Sequence, residues 1–354
     1  MSVGIGSRRS VPVDAAKTAA IWGTLLIHTS AVGGFAWPLG SLAWVSNLFW
    51  SSVLRCAVPV FFLCSGALLL PPEKDVSLSR VWKRYIPRIA AALFFWAAAY
   101  AAAELFTAWR DTGVLEAAAL CRAAADLLLL RHKSHLYYLQ ILLLVYALLP
   151  LCRLLAARAD RRLTAYIVGL WFFLGCLLPA LRPFPPVSLL GGIPGQYPLN
   201  LTWSAVGYSY LGFILSREAP RRRPAMFAAL YLLGLALTFG GTLWLSLRRG
   251  QLYEGFFQGT APGVCLQAAG VFGLCASALQ RRTCCRWTET ISRASFCIYL
   301  VHLFFLDELA RRGITAAAYA PAWAVPALAA VLFLAGFLVW LVLRRVPLVK
   351  KYLI

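Results

Sequence analysis

Two histidines in this chain stand well inside long apolar segments, where an ionisable side chain is costly. The chain has four histidines in all, and these two are His28 and His302. Because polar groups at bilayer depth usually serve a function, both are candidate site residues. Histidine titrates near neutral pH, so a buried imidazole could accept a proton and return it. The alternative is a packing histidine that hydrogen-bonds a neighbouring helix.

Basic residues stand near the start of two apolar segments, at spacings that suit phosphate binding. Lys17 precedes His28 by eleven residues, a rise of about 16 Å along a helix. Lys83, Arg84 and Arg88 precede the third segment, and Arg84 and Arg88 share one helical face at a spacing of four. Guanidinium groups on one face can bind phosphate oxygens bidentately. Alternatively, Lys17 reaches the lipid headgroups and the arginines only anchor a helix end.

Arg55 lies inside the second apolar segment. A guanidinium at this depth needs a partner or a polar cavity. Contact with substrate and a structural ion pair with Glu104 or Asp307 are equal alternatives.

Three further residues are candidates for substrate binding. Ser65 is also the serine that a covalent route would use first, although the Ser65-Gly66 pair is typical of close helix packing in membranes. His135 and Tyr138 open the fourth apolar segment. They could contact substrate, or they could belong to an interfacial aromatic belt.

The composition predicts an all-α membrane protein. Of the 354 residues, 61% are hydrophobic and only 13% are charged, and the mean hydropathy is +0.73. The apolar residues form blocks of about 20, the length of a membrane-spanning helix. A net charge of +21 could indicate nucleic-acid binding, but the basic residues sit in short clusters between apolar blocks. That distribution is typical of cytoplasmic loops, so no nucleic-acid partner is expected.

The ten cysteines predict neither a metal site nor a disulfide framework. Most of them lie inside apolar segments, where cysteine behaves as a small hydrophobic residue. Cys284 and Cys285 fall in a basic loop, and no Cys-x-x-Cys or Cys/His metal spacing is present.

The apolar blocks predict a single transmembrane domain over residues 1–354, a polytopic helical bundle of about ten spans. The spans are placed at residues 15–35, 47–70, 86–108, 135–152, 163–181, 201–216, 226–247, 260–280, 293–311 and 323–343. Loops on one side carry most of the lysines and arginines, and both termini join that side, so both are predicted to be cytoplasmic. The first span follows Arg8 and Arg9; because many spans come after it, it is predicted to be uncleaved rather than a signal peptide.

Two segments are predicted to lie at the outer surface. Within residues 114–134, the stretch 114–130 is apolar but includes Glu116, Arg122 and Asp126. Three buried charges would be costly in a span, so these residues are predicted to form an amphipathic surface helix and loop. Residues 182–200 are rich in proline and glycine, which indicates an outer loop and a candidate lid.

The order of several short motifs along the chain resembles the acyltransferase family 3 membrane proteins, bacterial O-acyltransferases with a ten-helix domain. The similar stretches are the basic residue and histidine within 14–28, VPVFFLCSGAL (58–68), KRYIPRI (83–89), HLYYL (135–139) running into LP (149–150), GYSYLG (207–212) and SRASFCIYLVH (292–302). The chain looks most similar to stand-alone inner-membrane O-acetyltransferases that modify surface glycans. Two positions depart from the family pattern: Lys17 stands where arginine is usual, and Arg84 and Arg88 are four rather than three residues apart.

The resemblance implies transfer of an acyl group, most simply acetyl, from cytoplasmic acyl-CoA to a hydroxyl of an envelope glycan or lipid-linked sugar. His28 would be the general base, and Arg55 or His302 would stabilise the oxyanion. Lys17, Lys83, Arg84 and Arg88 would bind the donor, which is a co-substrate rather than a permanent cofactor. The expected location is the bacterial inner membrane, and a homo-oligomer is compatible with the sequence. Two alternatives are an exporter of an acylated glycan and a non-catalytic membrane scaffold.

Overall fold

A computed structural model describes residues 10–33, 35–279 and 285–354. Arg8, Arg9, Arg281, Arg282 and Cys284, which entered the charge and cysteine arguments, lie outside the described residues. Within the described ranges the chain is helical and contains no strand, which confirms the all-α prediction.

The described residues form seventeen α-helices joined mostly by short connections. They are α1 (Val11–Ala31), α2 (Leu42–Val53), α3 (Ala57–Leu69), α4 (Leu78–Arg80), α5 (Ile86–Thr112), α6 (Ala117–Leu128), α7 (Tyr137–Ala147), α8 (Leu149–Arg158), α9 (Arg161–Phe172), α10 (Leu178–Leu181), α11 (Leu201–Glu218), α12 (Pro224–Leu235), α13 (Gly241–Arg249), α14 (Pro262–Leu279), α15 (Arg286–Arg311), α16 (Pro321–Leu343) and α17 (Pro347–Tyr352). Three π-helical turns, Val81–Tyr85, Phe173–Leu177 and Ala236–Gly240, continue directly into α5, α10 and α13.

The described part of the chain contains seven helical stretches that are long and apolar enough to cross a membrane. They match seven of the predicted spans, and an eighth corresponds to α7 and α8, a pair bent by 53°. The predicted spans 15–35 and 201–216 are the helices α1 and α11, which are not among these stretches because they carry more polar residues. The protein is therefore a multi-pass membrane protein, while the count of ten and the cytoplasmic termini stay predictions.

Helix α1 lies in the interior of the bundle, where it packs against α2, α3, α14, α15 and α16. Its polar residues consequently face protein rather than lipid. The hydroxyls of Thr24 and Thr29 donate to the carbonyls of Ala20 and Leu25, at 3.0 Å and 2.8 Å. Because these groups find partners one turn back, a helix with several polar residues can occupy the apolar core.

The predicted second span is broken in its middle, between α2 and α3, at the turn that contains Arg55. A break in an apolar environment leaves backbone groups without partners unless other helices supply them. Here the Tyr231 hydroxyl donates to the Val53 carbonyl at 2.8 Å, and the Gln267 amide donates to the Ser52 carbonyl at 3.2 Å. These two side chains stabilise the break, and the break positions Arg55.

The two segments predicted to lie outside the spans contain no membrane-spanning helix. Helix α6, Ala117–Leu128, has 12 residues, too few to cross the hydrocarbon, and it exposes apolar residues such as Leu128, whose exposed fraction is 80%. Residues 182–200 contain two short 3-10 turns, Val187–Leu189 and Ile193–Gln196. A lid function for this loop stays a prediction.

The break between α2 and α3 gives a paired stability prediction. We expect Tyr231→Phe to lower the free energy of unfolding by about 1 kcal/mol, because the Val53 carbonyl loses its side-chain donor. Thr238→Val should be neutral or stabilising, because the Thr238 hydroxyl is buried without a hydrogen-bond partner among the described residues. Unfolding by denaturant in mixed micelles measures both, and equal effects of the two substitutions would contradict the assignment.

Candidate active site

Three histidines from distant parts of the sequence meet in the interior of the bundle. His28 comes from α1, His302 from α15, and His135 from the 3-10 turn Ser134–Leu136. The ring centroids of His28 and His302 are 4.9 Å apart, and those of His135 and His302 are 5.4 Å apart. His135 and His302 have exposed fractions of 1% and 0%. We refer to these three residues as the histidine cluster.

The hydrogen bond of His302 determines which of its ring nitrogens is free. Its Nδ1 lies 2.7 Å from the Tyr299 carbonyl oxygen. Because a carbonyl only accepts, Nδ1 carries the proton, and Nε2 of the neutral ring carries the lone pair. Nε2 is buried and has no partner among the described residues. Neutral His302 can therefore accept a proton but has no N–H left for an oxyanion, which argues against its predicted oxyanion role.

His135 lies deeper in the protein than an interfacial belt residue would. Its ring stands between the rings of Tyr100 and Tyr299, with centroid distances of 5.0 Å and 5.6 Å. The Tyr299 hydroxyl donates to the His135 backbone carbonyl, which holds the 3-10 turn against α15. Neither ring nitrogen of His135 has a hydrogen-bond partner within the described ranges, so both are available to a ligand.

A cavity of about 300 Å³ lies on one side of the histidine cluster. It brings together four residues that the sequence predicts for the site, namely Lys17, Ser65, Arg88 and Tyr138. Its other polar lining residues are Ser292, Arg293, Ser295, Tyr146 and Tyr299. We call it the basic cavity, because Lys17, Arg88 and Arg293 line it with positive charge.

Of the three basic residues around the start of α5, only Arg88 lines the basic cavity. Lys83 and Arg84 are exposed and are not among its lining residues. The reason is the π-helical turn Val81–Tyr85: a π turn takes in an extra residue, so residues on either side no longer keep the α-helical i, i+4 register. Arg88 Nη2 donates to the backbone oxygen of Ile354 at 2.9 Å. Ile354, which follows α17, is itself one of the lining residues.

Two tyrosines separate the basic cavity from the histidine cluster. Tyr138 and Tyr299 line the cavity, and their ring centroids are 5.4 Å apart. On its other side, the Tyr299 ring lies 6.0 Å from the ring of His302. A ligand in the cavity is thus one aromatic layer away from the histidines. The Ser65 hydroxyl, which also lines the cavity, donates to the Phe61 carbonyl at 3.0 Å.

Arg55 is held at the helix break by an aromatic residue rather than by a carboxylate. Its Nε donates to the Phe257 carbonyl at 3.0 Å, and its guanidinium lies 4.5 Å from the centroid of the Phe257 ring. Glu104 and Asp307 instead bind Lys133, at 3.0 Å and 2.8 Å. The predicted ion pair of Arg55 with either carboxylate is therefore wrong. Arg55 lies within electrostatic reach of His28.

The helical membrane fold agrees with a comparison against known families. The model of the acyltransferase 3 family, described as an acyltransferase domain, matches residues 12–345. This chain belongs to the acyltransferase 3 family. No curated protein and no solved structure gives a significant match. The match extends over nearly the whole chain, which confirms the resemblance inferred from the ordered motifs.

The motifs that carried the resemblance to the acyltransferase 3 family do not all meet in space. Lys17, Arg88, Ser65 and Tyr138 share the basic cavity, and the histidine cluster lies behind it. Arg55 approaches the cluster from the helix break. Lys83 and Arg84 lie outside this arrangement. The site of this acyltransferase 3 protein is thus built mainly by α1, α3, α5, α7 and α15.

Sequence reasoning missed a polar pair at the inner end of α1. The Ser292 hydroxyl donates to Asp14 Oδ1 at 2.6 Å, and both residues are buried. This bond ties the start of α1 to α15, the helix that carries His302. Asp14 and Ser292 each open one of the stretches that resemble the acyltransferase 3 family, and that shared position was the available signal. Arg293, which lines the cavity, lies in the same stretch as Ser292 and was not among the predicted site residues.

Among the described residues, no group of three or more histidine, cysteine, aspartate or glutamate side chains could hold a metal ion. The cysteines in the described ranges are free thiols, and most of them are buried.

Proposed function

We propose that this protein transfers an acyl group from acyl-CoA to a hydroxyl of an envelope glycan or lipid-linked sugar. The acyl group in this proposal is acetyl. The observation that supports it is the position of the histidine cluster, one aromatic layer behind a cavity that Lys17 and Arg88 make positive. In this proposal the basic cavity opens to the cytoplasm of a bacterium and the protein spans its inner membrane. The acceptor approaches from the opposite side.

The donor binds with its phosphates at the mouth of the basic cavity, and its thioester end passes the layer formed by Tyr138 and Tyr299 to reach the histidine cluster. Arg88 supplies a planar guanidinium, which binds phosphate oxygens bidentately, whereas Lys17 supplies a point charge. Arg293 adds a third cationic side chain to the lining, although it is already paired with Glu289. Arg88 uses one Nη2 N–H on the backbone oxygen of Ile354, which leaves its other N–H groups to bind phosphate.

His28 acts as the general base on the acceptor hydroxyl. The hydroxyl oxygen attacks the thioester carbonyl carbon, and its proton passes to His28. The carbon–sulfur bond then breaks, and the thiolate of CoA leaves with the proton that His28 returns. Base catalysis of this kind contributes roughly 10²- to 10⁴-fold to a rate. His302, with its free Nε2 and its ring 4.9 Å from that of His28, supports the base by accepting a hydrogen bond or the proton from it.

Arg55 stabilises the negative charge that develops on the carbonyl oxygen. Its Nε is committed to the Phe257 carbonyl, which fixes the side chain and leaves the two terminal nitrogens to donate. A fixed donor in a dry site stabilises an oxyanion more than a mobile one does, because no reorganisation is needed. His302 is a poor second donor, because Tyr299 already uses its only N–H.

A covalent route through Ser65 has less support than direct transfer. A serine nucleophile needs a base within hydrogen-bond reach. The Ser65 hydroxyl donates to the Phe61 carbonyl, and the histidines lie beyond the tyrosine layer. Ser65 is better suited to contact the bound donor.

The test is an assay of purified protein in lipid nanodiscs, with acetyl-CoA and an envelope glycan fraction as acceptor. We expect CoA to be released in step with the appearance of ester-linked acetyl on the glycan. An exporter would instead carry glycan across vesicle membranes without acyl-CoA, and a scaffold would do neither. Glycan flux without CoA release would overturn the proposal.

Substitutions in the basic cavity should weaken donor binding. Loss of a charge-assisted hydrogen bond costs about 1.5–3 kcal/mol, so Arg88→Ala should raise the KM for acetyl-CoA by roughly 10- to 100-fold, with a smaller change in kcat. Lys17→Arg should keep activity, since arginine is also a cation that binds phosphate. Arg158→Ala, which removes an exposed charge at the end of α8, is the control. An unchanged KM in Arg88→Ala would remove this residue from the donor site.

A further inference from the structure

A second polar cavity lies toward the other end of α5. It has a volume of about 280 Å³ and lies between α5, α6 and the residues that precede His135. Glu104 of its lining is sixteen residues beyond Arg88 on α5, a distance of about 24 Å along the helix. This outer cavity is therefore separate from the basic cavity. Its polar lining residues are Tyr100, Glu104, Arg122, Asp126, Arg131, His132 and Lys133.

The outer cavity reaches the histidine cluster through one side chain. Tyr100 lines it, and the ring of Tyr100 lies 5.0 Å from that of His135. Tyr100 is itself held in place, because its hydroxyl donates to the Leu300 carbonyl at 2.8 Å and its ring stacks on Phe304 at 3.8 Å. The cluster is thus bounded by tyrosines on both sides, with the basic cavity beyond one layer and the outer cavity beyond the other.

The charges in the outer cavity leave one cation available for a ligand. Lys133 is neutralised by Glu104 and Asp307. Asp126 lies 3.9 Å from Arg131. Arg122 makes no hydrogen bond or ion pair with any residue that the structure describes. A guanidinium that lines a cavity and has no internal partner is suited to bind an anion, and its geometry favours phosphate.

The position of Arg122 on α6 indicates the depth at which that anion lies. Helix α6 is amphipathic, and the leucines at and beyond its end, Leu128 and Leu129, have exposed fractions of 80% and 59%. Such a helix lies in the membrane interface, with its apolar face among acyl chains. Arg122 consequently stands at the level of lipid headgroups, beside a surface that an acyl or polyprenyl chain can contact.

We propose that the outer cavity binds the acceptor as a glycosyl phosphate carried by a membrane lipid. This inference rests on the proposed function. Arg122, the cation without an internal partner among the described residues, binds the phosphate. The first sugar lies along the cavity wall, where alanines contact its C–H faces and Asp126 accepts from its hydroxyls. The lipid chain runs along the apolar face of α6, and the sugar reaches the histidine cluster past Tyr100.

The test measures binding without requiring turnover. Cys121 is exposed on α6 and directly precedes Arg122 in the chain, so a ligand held by Arg122 should slow the reaction of Cys121 with maleimide. Wild-type protein in nanodiscs is titrated with undecaprenyl phosphate, with the uncharged alcohol undecaprenol, or with soluble glucose 1-phosphate. Labelling is read by mass spectrometry of the Cys121 peptide. We expect undecaprenyl phosphate to protect Cys121 at the lowest concentration, glucose 1-phosphate only at higher concentrations, and undecaprenol not at all.

Two arginine variants make the assignment specific. Arg122→Gln should weaken the protection by undecaprenyl phosphate about tenfold or more, whereas Arg110→Gln, an exposed position on α5 where arginine pairs with Asp111, should behave like wild type. Equal protection by undecaprenol, or no difference between Arg122→Gln and wild type, would overturn the proposal. Protection as expected without any CoA release in the transfer assay would instead count against the proposed function alone.

Discussion

Replacing His28 by alanine is expected to lower acyl transfer by roughly 10²- to 10⁴-fold, the usual contribution of a positioned general base. The loss should appear in kcat, while the KM for acetyl-CoA changes little, because the basic cavity lies beyond the tyrosine layer. The measurement is initial-rate CoA release with saturating glycan acceptor, with parallel detection of the acetylated product.

Two controls separate the chemistry of His28 from its packing. Thr238→Val alters another buried polar side chain and should leave the rate unchanged, so it reports any general effect of substitution in the bundle. His28→Gln keeps a polar side chain of similar size but cannot accept a proton, so it should be nearly as slow as alanine. Turnover at the wild-type rate in a folded His28→Ala protein would sink the mechanism.

The same series decides between His28 and His302. His302→Gln can still donate an N–H to the Tyr299 carbonyl, which preserves the local structure around a fully buried residue. If His302 only supports His28, His302→Gln should lower the rate less than His28→Ala does. The double variant should be no slower than His28→Ala alone, because the effects of residues that act as a unit are not additive. A larger loss at His302 would transfer the role of base to that residue.

The sequence predicted the separate parts of this site better than their arrangement. His28 and His302 stood out because a histidine inside an apolar segment is unusual. For His135 the sequence left substrate contact and an interfacial aromatic belt as alternatives, and only the packing of the 3-10 turn Ser134–Leu136 against α15 brings it to the cluster. That contact joins residues 164 positions apart, and hydrophobic periodicity carries no information at that range.

Local irregularities account for the other differences. The helical face expected for Arg84 and Arg88 assumed a regular α-helix, and the π turn Val81–Tyr85 removes that register. The break at Arg55 has no glycine or proline at the turn itself to indicate it. It persists because Tyr231 and Gln267, from other helices, satisfy the carbonyls it frees. The π turn and the helix break both depend on contacts with other parts of the fold, which the sequence does not show. The amphipathic helix α6 depends only on its own pattern of charged and apolar residues, so the sequence predicted it.

Gly66 provides the prediction with the largest expected effect on stability. A Cβ added at Gly66 would overlap the backbone carbonyl of Ser209 on α11. A side chain could relieve this overlap by changing its rotamer, but a backbone carbonyl in a helix cannot, so α3 and α11 would have to separate. We expect Gly66→Ala to lower the free energy of unfolding by about 3 kcal/mol, a large part of a typical total. Unfolding by denaturant in mixed micelles measures it.

Gly169→Ala is the matched control. A Cβ at Gly169, in α9, would meet nothing within 4 Å, so only the higher helix propensity of alanine applies, and it favours the folded state by about 0.5–1 kcal/mol. The same chemical change should thus have opposite signs at the two positions. A Gly66→Ala protein as stable as Gly169→Ala would show that α3 and α11 do not pack as closely as described.

A second glycine on the same interface extends this argument to the donor site. A Cβ at Gly212 would overlap the Leu63 backbone, again between α3 and α11. Once Gly66→Ala has separated the helices, Gly212→Ala should add little, so the double variant should be far from additive. Gly234 lies at a different contact, between α12 and α14, where an added Cβ would lie 2.5 Å from the Gly263 carbonyl oxygen. The destabilisation by Gly234→Ala should therefore add in full to that of Gly66→Ala. Because α3 carries Ser65 into the basic cavity, the first pair should also raise the KM for acetyl-CoA, and Gly234→Ala should not.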